Sequence, residues 1–132
     1  MNHERLAHHG LRLLGGVCFI VSGICLVAPT VLLGGMEIGL ETPSALAEVR
    51  AAYGGSFGGL GALFWLGAQR PAQRVLSLGI AALVFGLFTA ARLLSLALDG
   101  TPSTLAVANH VVEAVAFVLA FALWRAASRT PR

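Results

Sequence analysis

The sequence contains no lysine; all nine of its basic residues are arginine. Walker-type phosphate binding and Schiff-base catalysis both need a lysine ammonium, so neither chemistry is available. Charge of either sign is scarce. Charged residues make up 11% of the chain, against about 25% in an ordinary soluble domain. With 57% hydrophobic residues in a chain of 132, there is too little polar surface for water, and lipid is the expected solvent. The net charge of +3 comes from scattered arginines with no basic stripe and no interleaved aromatics, which argues against nucleic-acid binding. Cysteine is nearly absent as well. Cys18 and Cys25 are seven residues apart on one expected helix, roughly 10 Å along it and beyond disulfide reach. They read as small buried fillers, since that helix offers no partners for a metal. No metal and no cofactor are expected.

What the chain does have is long apolar runs: Leu13 to Leu33, Ala51 to Ala68, Val75 to Ala91, and Val111 to Trp124 with a start near Ser103. Each can supply about the 17–25 helical residues that cross a bilayer. The first is too long for a signal-peptide core, and no small-x-small cleavage site follows it. The expected fold is all-α: a bundle of four transmembrane helices at about 11–33, 43–69, 72–98 and 102–125. A membrane domain of residues 13–124 then lies between an exposed N-terminal segment, 1–12, and a tail, 126–132. Arg5, Arg12, Arg70, Arg74, Arg125, Arg129 and Arg132 fall on one side of four spans, and Glu37, Glu41 and Asp99 on the other. The positive-inside rule then puts both termini in the cytoplasm of a multi-pass protein of the plasma (inner) membrane. His3, His8 and His9 flank the membrane in this reading. Trp65 and Trp124 lie near the inner boundary, as interfacial indoles do. Outside, Gly34 to Thr42 can lie along the surface, and Gly100 with Thr101-Pro102 suits a helix end followed by a helix start. The echo between "TPSALA" and "TPSTLA" reads as shared capping chemistry rather than duplication.

The stretch "RAAYGGSFGGLGALFWLGAQRP" holds five glycines between Gly54 and Gly61. In lipid it must stay helical, because nothing else satisfies its backbone. On a helix, Gly54, Gly55, Gly58, Gly59 and Gly61 span an arc of roughly 160°. Two small-xxx-small pairs, Gly54/Gly58 and Gly55/Gly59, allow close approach of neighbouring helices. Packing within the monomer is the expected use, ahead of a homodimer seam.

Each expected helix also carries one small or polar face. Cys18, Ser22, Cys25 and Pro29 share a face of the first; Thr89, Arg92, Ser95 and Asp99 of the third; Asn109, His110 and Glu113 of the fourth. Turned inward, they make a polar site in the outer half, above a dry inner half filled by residues such as Leu78, Leu83, Val118 and Phe121. Side chains lean toward their own helix N-terminus, so Arg92 leans inward and Glu113 outward, and the two converge. An Arg92–Glu113 pair is expected, with Arg50, Tyr53, Asn109 and His110 around it. Arg50 can reach the interface or Asp99, and Glu48 lies nearer the surface. A charge at mid-membrane costs about 2.5–3.5 kcal/mol on insertion scales and marks a functional candidate. The alternative is a structural pair that fixes helix register. His110 with Glu113 is half of a metal or acid–base set, with Glu48 as its one available addition.

The elements "EVRAAYGGSFGGLG", "ARLLSLALDGTPS" and "VVEA", in that order, resemble a bacterial family of small four-helix membrane proteins known as domain of unknown function 4345. The resemblance runs from about Leu13 to Leu123. Its pattern positions here are Glu48, Arg50, Tyr53, Gly54, Gly55, Arg92, Asp99, Gly100 and Glu113, with Ala91 where the pattern has glycine. It implies the architecture and adds weight to the polar cluster, but implies no activity. Three readings stay open. The first is binding or transport of a small lipophilic or anionic molecule, with no catalytic residue. The second is an accessory subunit docking another membrane protein, or a homo-oligomer, through the glycine helix. The third is an intramembrane enzyme using His110 and Glu113, ranked last because no nucleophile or cofactor motif is visible.

Overall fold

The computed structural model describes residues 3–129. The side chain of His3 and the whole of Arg132 lie outside the described residues. The chain is all-helical, with no strand among those residues: α1 (His3–Val27), α2 (Pro29–Leu33), a 3-10 turn (Gly34–Met36), α3 (Pro43–Val49), a π-helical segment (Arg50–Gly55), α4 (Ser56–Gln69), α5 (Pro71–Asp99) and α6 (Thr104–Ser128). Among the described residues, three helices are long and apolar enough to cross a membrane: α1 from Glu4, α5 and α6. The expected second span is not one α-helix. It stays helical, with αR dihedrals at both ends of the π segment, but that segment divides it, leaving α4 with 14 residues.

α1 begins well before Leu11. Ala7 and Leu11 are buried in the core, so this part of the chain packs rather than flanks. His8 is half-buried, and its Nδ1 lies 2.8 Å from the Ala68 carbonyl; His9 is exposed. The helix ends where Pro29 requires it to. Proline has no N–H to donate and pushes the residue before it out of the α region. Ala28 accordingly sits at φ −139°, ψ 63°, and the helix resumes as α2. Glu37 closes the following 3-10 turn with φ 62°. The two "TPS" copies cap differently: Thr42 receives the Ala45 N–H in the first, Ser103 the Ala106 N–H in the second. The echo is therefore one of composition, not of register.

Neighbours in the chain pack antiparallel. Along α1, His8 meets Ala68, Gly15 meets Gly61, Ser22 meets Gly54, and Leu26 meets Arg50. Phe57 and Phe64 of α4 meet Phe88 and Phe85 of α5; Gly79 and Gly86 of α5 lie under Trp124 and Phe117 of α6. α6 also contacts α1, which closes the ring. The glycines divide by face. A Cβ on Gly54, Gly58 or Gly61 would come within 3 Å of Leu26, Ser22 or Phe19 respectively, so these three form the seat of α1. Gly55 and Gly59 have open space around them. The wide glycine arc thus serves one neighbour, not two.

The dry part of the core is built from Leu11, Cys18, Phe64, Leu78, Ala81, Ala82, Phe85, Ala116 and Ala120. Cys18 and Cys25 are both buried and free, as expected of fillers. Of the four residues expected to fill this half, Leu78 does so. Leu83, Val118 and Phe121 face outward, with 63%, 61% and 41% of their surface exposed. α6 presents alanines inward instead (Ala106, Ala116 and Ala120, with Glu113 between), and small residues let it approach α5 closely. Apolar residues lie on the outward faces of these helices as well as the inward ones, so apolar character alone does not set helix phase.

The α1–π contact holds two polar links. Ser22 Oγ donates to the Gly54 carbonyl at 2.7 Å, within the segment where the π turn disturbs the usual i→i+4 pattern. Ser22→Ala is expected to lower stability by about 1 kcal/mol, one net hydrogen bond, as measured by unfolding of the purified protein in mixed micelles. An unchanged midpoint would show that Gly54 finds another donor.

Candidate functional site

α5 and α6 leave a tight turn at Gly100 (φ 92°), so Arg92 and Glu113 start on adjacent antiparallel helices a few turns from the connection. Arg92 Nε donates to Glu113 Oε2 at 3.2 Å, and Nη2 to Oε1 at 3.5 Å. Asn109, one turn before Glu113, donates its Nδ2 to Oε1 at 2.8 Å. The carboxylate is therefore held on both oxygens. The pair is asymmetric in exposure: the Glu113 side chain is 8% exposed, the Arg92 side chain 37%. The carboxylate is the structural end of the pair, and the guanidinium is the end a visitor can reach.

What it can reach is a groove of about 510 Å³ between the π segment, α4 and α5. Phe57, Leu60 and Phe88 form its apolar wall, Ala52 and Ala91 leave it room, and Tyr53, Arg92 and Glu113 supply polar groups. On the other side of Arg92 is a smaller cavity of about 150 Å³, under the Met36–Ile38 segment and the first turn of α6, and His110 lines it.

The expected cluster is thus partly assembled. Arg92, Glu113 and Asn109 come together, and Tyr53 and His110 flank them in separate cavities. Arg50 is elsewhere. Its Nε donates to the Leu26 carbonyl at 3.0 Å, at the C-terminal end of α1. Helix C-termini leave carbonyls without donors, and the break at Pro29 puts this one within reach of the π segment. Asp99 does not meet Arg50 either; it accepts from Ser95 Oγ at 2.8 Å. Glu48 is exposed and outside the cluster. Thr89 folds back onto the Phe85 carbonyl at 2.8 Å. Among the described residues, no three His, Cys, Asp or Glu side chains are placed to hold a metal.

Sequence reasoning did not mark Phe57, Leu60, Phe88, Ala52 or Ala91 as site residues. Aromatic and small residues are ordinary in membrane helices, so nothing singled these out. Ser95 was visible as part of the α5 polar face, and it lines both cavities.

No curated protein and no solved structure matches the chain. A family model does, across residues 8–124, which take in both partners of the ion pair and every element that walls the groove. The chain belongs to the family described as Domain of unknown function (DUF4345).

Proposed function

We propose that this is a four-span protein of the bacterial plasma membrane, with both termini cytoplasmic, that binds or transports a small lipophilic or anionic molecule. The span added to the three long helices, second in chain order, is the run from Pro43 to Gln69, whose π turn stays helical and which follows α1 along its length. Arg5, Arg12, Arg70, Arg74, Arg125 and Arg129 gather at the end opposite the Asp99–Gly100 turn, in keeping with the positive-inside rule. The site then falls in the outer half of the bilayer.

The observation that carries this reading is a partly exposed guanidinium at the head of an apolar groove of about 510 Å³. A pair serving register alone has no need of such a groove beside it. Arg92 has five N–H donors and uses two on Glu113, leaving three for an anionic or carbonyl group. Ala91→Phe fills the groove from the α5 wall and leaves the ion pair in place. Mass spectrometry of compounds co-isolated with the purified protein is expected to show at least one species reduced about tenfold in this variant. Identical profiles would contradict the reading.

A second reading has its own observation. Gly55 and Gly59 open outward, away from α1, and could seat another membrane protein or a second copy. It requires a stoichiometric partner lost on Gly59→Leu. Gly58→Leu is unsuitable for that test, because it strikes Ser22 within the chain.

A further inference from the structure

Two cavities of unequal size meet at one arginine. The groove of about 510 Å³ is mostly apolar, and the chamber of about 150 Å³ carries His110; Arg92 and Ser95 line both. The smaller chamber is walled by Met36, Ile38, Leu96, Pro102 and Ala106 as well as His110, and with Arg92 common to both, the two cavities offer separate places for the head and the chain of an amphiphile. We propose that the ligand is a single-chain amphiphile with a monoanionic, carboxylate-type head. Arg92 and His110 hold the head in the smaller chamber, and the chain lies along Phe57, Leu60 and Phe88. This rests on the reading of the groove as a binding site and specifies what fills it.

The charge count selects the head. Glu113 already neutralises Arg92 within hydrogen-bonding distance. Asp99 adds a second carboxylate on the same face of α5, bonded to Ser95 at 2.8 Å. Arg50, the other arginine on this side, is turned away onto the Leu26 carbonyl. A dianionic phosphate would bring two more negative charges to a site whose guanidinium is already shared with Glu113, with an imidazole beside it as a hydrogen-bond partner. A carboxylate brings one, and its two oxygens match the free edge of a guanidinium. The single groove accepts a single chain.

The test uses the full chain in phosphatidylcholine nanodiscs and two probes: stearic acid bearing a nitroxide near its methyl end, and the methyl ester of the same compound. Electron paramagnetic resonance separates probe held by protein from probe free in lipid. The acid is expected to show a motionally restricted component with affinity about tenfold above that of the ester, as one charge-assisted contact provides. His110→Leu is expected to reduce that preference, because Arg92 alone then holds the head. Acid and ester held equally by the native chain would overturn the head assignment while leaving the groove as a binding site. No restricted component from either probe would overturn both.

Discussion

Gly67→Ala is expected to lower stability by about 3 kcal/mol, the upper part of the range for overpacking a tight core. The added methyl would fall inside the Ser77 side chain, overlapping its Cβ as well as its Oγ, with Leu11 close behind. A Cβ cannot swing away as the end of a long side chain can, so α4 and α5 must separate. Both Gly67 and Ser77 are buried, and Ser77 Oγ donates to the Leu63 carbonyl at 3.3 Å, so separation also strains that bond. Helix propensity acts in the opposite direction, favouring alanine by about 1 kcal/mol, and is outweighed. Gly59→Ala is the matched control. Its Cβ meets nothing within 4 Å, so only the propensity gain remains, and stability should rise slightly. Unfolding midpoints in a denaturing-detergent titration distinguish the two. Adding Ser77→Gly to Gly67→Ala should recover most of the loss; failure to recover would place the cause somewhere other than this crossing.

The second large effect concerns the ion pair. Arg92→Ala is expected to cost about 3 kcal/mol, the low end for breaking a buried pair, because the guanidinium side is only partly buried. The loss comes from leaving the Glu113 carboxylate 8% exposed with only Asn109 to bond it. Replacing both partners with apolar residues of similar volume, Arg92→Met with Glu113→Leu, removes the stranded charge. That double variant should be near native in stability and, on the proposed function, should lose the co-isolated ligand. Stability and binding then part company. A double variant as unstable as Arg92→Ala would mean that the pair acts chiefly as scaffold.

How far the sequence foretold this arrangement depends on which forces were local. The Arg92–Glu113 contact was legible because three regularities combine: rise per residue, the lean of side chains toward the helix N-terminus, and a short turn that forces adjacency. Close approach at Gly54 and Gly58 was legible from spacing, but which glycines face α1 was not. That choice depends on the phase of a second helix, and helices apolar on most faces give no polar side from which to read it. The same lack of polarity misplaced Leu83, Val118 and Phe121. The π segment carries no spacing signature, so the sequence did not show that the Arg50 turn is widened. Arg50 was expected to reach the interface or Asp99, and bonds the Leu26 carbonyl instead. The expected first helix ran through Pro29 to residue 33; the break there frees the Leu26 carbonyl, and which side chain satisfies it is a tertiary fact. The early start of α1 was obscured by the polar residues of the N-terminal sequence, among which the buried Ala7 and Leu11 do not stand out.

The measurement that bears most directly on this account is the coupling free energy between positions 92 and 113, from a double-mutant cycle of Arg92→Gln, Glu113→Gln and the double variant in lipid. Partners joined by two charge-assisted hydrogen bonds should couple by about 1.5–3 kcal/mol. Single effects that add to within about 0.5 kcal/mol would mean that the guanidinium and the carboxylate do not meet, and the site built on their contact would fall with it.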